Sequence, residues 1–218
     1  KVRRQYEDNP YPRWINLGLI KEPIYIRELV DGCRLKLNST TIKKLQAPSI
    51  LIAGCGTGLH SIETAARFKN SKVSAIDLSL SSLAYAKRKT KELGIRNIEY
   101  IQADLLDLEK LDLKFDIIES VGVLHHMRDP LDGWKVLTEC LKPGGLMKIG
   151  LYSELARQHI VKIRKEISNT GIGSSDEEMK SFRDTIIGSE KDHHEGILNF
   201  IGMDNRVVFQ GVHMLFDA

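Results

Sequence analysis

The chain has 218 residues, 42% hydrophobic and 28% charged, with a net charge of +3, which is ordinary for a globular domain with a sizeable core. No stretch reaches the length of a membrane span, no amino-terminal segment has the apolar centre of a signal peptide, and so small a charge makes no case for nucleic acid. Cys33, Cys55 and Cys140 are odd in number and far apart, which predicts reduced thiols and a cytoplasmic setting rather than a disulfide framework.

Residues 1–48 read as an arm. In Asn9-Pro10-Tyr11-Pro12-Arg13-Trp14 each proline holds its predecessor extended, and a short helix is predicted within Ile24 to Leu37, ending near Gly32. Tyr6, Tyr11, Arg13 and Trp14 are unusual company for a solvated tail. They predict a lid over a ligand. The chain begins with Lys1, as a piece of a longer protein would.

From Ser49 the pattern becomes regular. Ile50 to Ala53 suit a strand buried on both faces. Gly54, Gly56 and Gly58 follow on alternate positions, where glycine permits positive φ and close approach of a ligand to the main chain. Leu59 to Phe68 has helical spacing. Lys72 to Ile76 is a second strand ending at Asp77, and Ser79 or Ser81 caps the next helix, which Gly94 stops. Strands are predicted at Ile98 to Gln102 and Phe115 to Val121. Asp129-Pro130 starts a helix with Leu131, Trp134, Leu137 and Leu141 on its buried face. Lys142-Pro143-Gly144-Gly145 breaks it, and Leu146 to Tyr152 is the fifth strand. Strands alternating with helices predict a doubly wound, mainly parallel α/β sheet with ligands at its carboxyl ends. The expected division is an arm at 1–48, a nucleotide-binding core at 49–153 and a helical segment at 154–218. In that last segment Glu154 to Ile167 reads as a helix with Leu155, Ile160 and Ile163 inward, and Asp176 to Ile187 as another. Arg206 to Phe209 and Val212 to Phe216 form a weak hairpin pattern.

The glycine turn between a strand and a helix predicts a nucleotide-like ligand. A dinucleotide fingerprint needs G-x-G-x-x-G, and the spacing here is G-x-G-x-G, which argues against a nicotinamide oxidoreductase. Asp77 ends the second strand 23 residues after Gly54, where a carboxylate can accept both ribose hydroxyls. Asp104, at the end of the third strand, is placed to accept from an adenine amino group. His125 and His126 follow the fourth strand on the same rim, and a base there would help an acceptor lose its proton. His193 and His194 beside Asp192 read as solvated, and no metal site is expected.

These motifs together resemble class I S-adenosylmethionine-dependent methyltransferases. ILIAGCGTG resembles the glycine loop, AIDLS the ribose acid, QADLLDL the adenine turn, FDIIESVGVLHHM the fourth strand and LKPGGLMKIGLY the fifth. The resemblance spans Ser49 to Tyr152, about half the chain. QYEDNPYPRW and LYSELAR are similar to a bacterial branch often fused to tetratricopeptide repeats. The resemblance implies a Rossmann-like, seven-stranded sheet, S-adenosyl-L-methionine as cofactor with S-adenosyl-L-homocysteine as product, and methyl transfer to an unidentified acceptor. It places the cofactor on Gly54, Cys55, Gly56, Thr57 and Gly58, on Asp77 and Leu78, on Asp104 and Leu105, and on Ser120 and Val121, with Tyr6 and Tyr11 above it. One departure is Ile52, where the family usually has an acidic residue. Another is the last two strands, which are not legible before Ala218. The competing reading is a module that binds S-adenosylmethionine or S-adenosylhomocysteine without turnover.

Overall fold

The computed structural model describes residues 2–12, 14–34, 36–37, 40–110, 112–153, 155–173 and 175–188. It divides into two compact units, Lys1–Leu151 and Tyr152–Ala218. The elements of the first are α1 (Val2–Asp8), α2 (Ile26–Gly32), α3 (Thr41–Lys44), β1 (Ser49–Ala53), α4 (Leu59–Arg67), β2 (Lys72–Asp77), α5 (Leu80–Glu92), β3 (Ile98–Gln102), β4 (Phe115–Val121), α6 (Pro130–Glu139) and β5 (Leu141–Gly150). The strands form one parallel sheet in the order β3-β2-β1-β4-β5. That is the Rossmann-like arrangement of the class I fold.

β1 is buried because both of its faces are covered. Ile50 and Ile52 pack with Ile26, Val30, Ala65, Phe68 and Leu83 on one side. Leu51 and Ala53 pack with Leu105, Leu108, Leu124, Val136 and Leu137 on the other. Each fully buried Ile or Leu of this kind contributes about 1.5–3 kcal/mol of transfer free energy. Successive β1 side chains point to opposite faces, so the continuous apolar run serves two cores at once.

Three expectations change. First, α6 buries Gly133, Val136 and Leu137, while Leu131 and Trp134 are 66% and 38% exposed. At Gly133 a Cβ would stand 2.4 Å from Met127 Sδ and 2.8 Å from Leu124 Cδ2, so the ends of those two side chains fill the space that glycine leaves. Second, β5 begins at Leu141, and Lys142-Pro143-Gly144-Gly145 lies within it as a bulge between Phe115↔Leu141 and Ile117↔Leu146. Gly144 takes φ +78° there, a bulge conformation that reads in sequence as a helix stop. Third, Leu155 is 79% exposed rather than inward, because the helix begins only after it.

The second unit contains α7 (Gln158–Thr170) and α8 (Asp176–Ile187). Ile160, Ile163 and Ile167 pack with Phe182 and Ile186, and Ser175 and Glu178 form a capping box at the start of α8. Arg13, Glu154, His193, His194 and the apolar runs within 206–216 lie outside the described residues.

Candidate active site

The glycine turn lies at the carboxyl end of β1, the strand on either side of which the sheet grows in opposite directions, to β2 and β3 on one side and to β4 and β5 on the other. In doubly wound sheets this switch point opens a crevice. Gly54, Gly56 and Gly58 have φ of +80°, +51° and +88°, the left-handed region that glycine alone enters at little cost. A Cβ on Gly56 would stand 2.4 Å from the Tyr11 carbonyl oxygen, and one on Gly58 would stand 2.6 Å from Ala86 Cβ. The room left by Gly56 is therefore occupied by the arm. Gly58 brings α4 against α5.

Asp77 joins β2 to this turn. Its Oδ2 accepts from the Gly56 amide at 2.8 Å and its Oδ1 from the Ser79 amide at 2.9 Å. Burial pushes the carboxyl above its ordinary pKa, the Ser79, Gly56 and Leu78 amides pull it back, and the charge of Glu7 adds to the rise. Glu7 itself accepts from the Ser81 amide through Oε1 at 3.3 Å. Its Oε2 is buried and finds no hydrogen-bond partner among the described residues. Two carboxylates thus converge at the start of α5, one from the sheet and one from the arm.

The arm is fastened to the turn at several points. The Thr57 amide donates to the Tyr11 carbonyl at 3.1 Å, Thr57 Oγ1 donates to the Pro12 carbonyl at 2.5 Å, and Trp14 Nε1 reaches Thr57 O and Oγ1 at 3.3 and 3.2 Å. Tyr85 donates its hydroxyl to the Trp14 carbonyl. Tyr6 accepts from Ser79 Oγ through its carbonyl at 3.0 Å, while its hydroxyl lies 3.0 Å from His126 Nε2. Tyr6 therefore spans from the β2 rim to the segment after β4, and the His125 and His126 rings lie 4.1 Å apart, tilted by 46°.

The other expected residues divide. Ser120 is 1% exposed with an Oγ that finds no partner among the described residues, whereas Val121 beside it is 44% exposed. Asp104 is exposed, its Oδ1 accepting from the Leu106 amide at 3.0 Å. The Leu78 carbonyl accepts from Gln102 Nε2 at 3.0 Å. The Cys55 and Leu105 side chains point into the two cores, and burial, with the charge of Asp77 added, raises the Cys55 thiol far above its ordinary pKa. Glu119, beside Ser120 on β4, binds His60 and Thr64 of α4. Glu7 and Thr57 Oγ1 are the residues that sequence reasoning missed as structural partners, since their roles depend on where the arm lands. Among the described residues no cluster of His, Cys, Asp or Glu is arranged to hold a metal ion.

The family model described as "Methyltransferase domain" matches residues 50–145. An uncharacterised protein of Synechococcus is 37% identical over 57% of this chain and 30% of its own length. A protein of Coxiella burnetii named ubiquinone biosynthesis O-methyltransferase is 32% identical over 65% of this chain and 57% of its own. The solved structure of PKMT2 from Rickettsia typhi superposes with a TM-score of 0.63 at 21% identity, over 88% of this chain and 40% of that one. The chain thus spans less than two thirds of the length of each of these relatives. The stretch that is similar to a methyltransferase domain, residues 50–145, is the one that carries the glycine turn and most of the parallel sheet, and the fold is that of methyltransferase structures.

Proposed function

We propose that this chain binds S-adenosylmethionine at the β1–α4 turn and transfers its methyl group to an acceptor bearing an O–H or N–H. The observation that carries the reading is the Asp77 carboxylate held against the Gly56 amide at the switch point of the sheet. Two buried polar atoms support the fit of an adenosyl amino acid. Glu7 Oε2 and Ser120 Oγ have no partner among the described residues, and both belong to segments bordering this turn.

When bound, the cofactor supplies an electrophilic sulfonium methyl. Asp77 accepts from ribose hydroxyls, aided by the orphan oxygen of Glu7, and Asp104 accepts from the adenine amino group. The loop Gly54–Gly58 and the rim Leu78, Leu105, Ser120 and Val121 line the cofactor, and Tyr6 and Tyr11 cover it. Displacement at a sulfonium demands little covalent chemistry of a protein, so positioning and exclusion of water carry most of the rate. The strap of α1 and the Tyr11–Trp14 segment serves that exclusion. The acceptor's proton passes to the His126 imidazole, whose ring Tyr6 Oη orients from 3.0 Å at Nε2; His125 packs beside it. A relative named as an O-methyltransferase supports a hydroxyl acceptor. The QYEDNPYPRW arm supports membership of the branch fused to tetratricopeptide repeats, and three free cysteines support a reducing, cytoplasmic setting.

The test is transfer of labelled methyl from S-adenosylmethionine into fractionated cell extract, by the wild type and by His126→Gln. Label in an acceptor fraction that falls at least tenfold in the variant supports the reading. Tight cofactor binding without any transfer would favour the non-catalytic module.

A further inference from the structure

Glu119 on β4 stands in register with Ile52 on β1 and Lys148 on β5. Their side chains therefore emerge on one face of the sheet, the face that α4 covers. Glu119 is 6% exposed. Its Oε2 accepts from His60 Nε2 at 2.6 Å and from Thr64 Oγ1 at 3.0 Å. Lys148 Nζ lies 3.5 Å from the same His60 nitrogen. Burial pushes the Glu119 carboxyl up, but the bonds from His60 and Thr64 and the nearby charge of Lys148 together hold it below the usual range. It is a buried anion with two hydrogen-bond partners, His60 and Thr64.

Adhesion alone does not account for this arrangement. α4 already buries Ile62 and Ala65 against the sheet, and a well-packed apolar side chain commonly stabilises as much as a buried ion pair does. What the hydrogen-bonded pair adds is directional. His60 is the second residue of α4 and follows the glycine turn directly, so a fixed imidazole fixes the first turn of the helix. The free amides of that turn are the groups that face a ligand at a helix start.

We propose that Glu119 is a positioning residue for the cofactor: acting through His60, it sets the first turn of α4 and the glycine turn against β4. The proposal rests on the cofactor reading above. The account requires that losing the pair weakens binding even in a fully folded chain.

Calorimetric titration with S-adenosylhomocysteine on the wild type, His60→Gln, Glu119→Gln and the double variant tests it, with thermal melting of each in parallel. Each single variant is expected to raise the Kd about tenfold, as loss of a charge-assisted hydrogen bond does. The double variant should bind no worse than either single, because one residue acts through the other. His60 is partly exposed, so its variant carries the test if Glu119→Gln folds poorly. Lowered melting temperatures with Kd within about twofold of wild type, or single effects that simply add, would overturn the proposal and leave a purely structural pair. A wild type that does not bind S-adenosylhomocysteine overturns the cofactor reading itself, and the positioning role with it.

Discussion

Tyr6 Oη lies 3.0 Å from His126 Nε2, although the two residues are 120 positions apart. The bond joins an amino-terminal helix to the segment after β4, and the same tyrosine's carbonyl is held by Ser79 at the start of α5. One residue thus bridges both rims of the crevice. Tyr6→Phe keeps the ring and its edge contact with His126 but removes the hydroxyl. It should cost about 1 kcal/mol in stability and reduce methyl transfer more than cofactor binding. Steady-state kinetics beside denaturant melts checks this, and an unchanged turnover would remove the hydroxyl from the reaction.

Gly56→Ala should expel the arm. The new Cβ would stand 2.4 Å from the Tyr11 carbonyl oxygen at a φ of +51°, so backbone and clash both oppose it. The expected outcome is a folded sheet with a loosened amino terminus, read as faster limited proteolysis within residues 1–14. Unaltered protection of the arm would mean that the turn adapts.

Trp14→Ala removes a side chain only 9% exposed and both of its contacts with Thr57. A loss of about 3 kcal/mol or more is expected for a buried aromatic. Thr57→Val, which deletes the hydroxyl that donates to Pro12 and accepts from Trp14, should cost about 1–2 kcal/mol. Urea unfolding of both checks the order, and a larger loss at Thr57 would contradict it.

At the opposite end of the strands, Asp116 accepts from the Ser49 amide at 2.8 Å and from Lys142 at 3.0 Å. Burial raises the carboxyl, but Ser49 and Lys142 outweigh it and hold it below the usual value of 3.8. Its folded pKa being depressed, its stabilisation is present above 3.8 and is lost as pH falls through the lower folded value. Asp116→Asn should therefore cost about 1–3 kcal/mol at pH 7, with the gap from wild type closing below pH 3.8. A gap that stays constant down to the acid transition would exclude the ionic contribution.

Much of this was legible in the chain because the informative patterns are local. β3, β4 and α8 fall on the predicted residues, each being a short apolar run or capped amphipathic stretch bounded by turn residues. That Asp77 lies against the glycine turn was legible from its distance to Gly54. The features that escaped depend on chain segments far apart. Nothing near Lys142-Pro143-Gly144-Gly145 says that β4 will accept it as a bulge. Nothing around Leu131 and Trp134 says that the helix will turn them outward and bury Gly133 instead. The His60–Glu119 pair and the landing of Tyr11 on Thr57 are likewise long-range facts that no window of sequence contains.

The central claim is that Asp77 and the glycine turn hold an adenosyl cofactor. Calorimetry with S-adenosylhomocysteine on wild type, Asp77→Ala and Asp104→Asn tests it most directly. The account predicts binding by the wild type, a loss of about 1.5–3 kcal/mol for Asp77→Ala as a charged acceptor is removed, and a smaller loss for exposed Asp104→Asn, whose amide still accepts one bond. A folded Asp77→Ala with wild-type affinity, or a larger loss at Asp104, would contradict it.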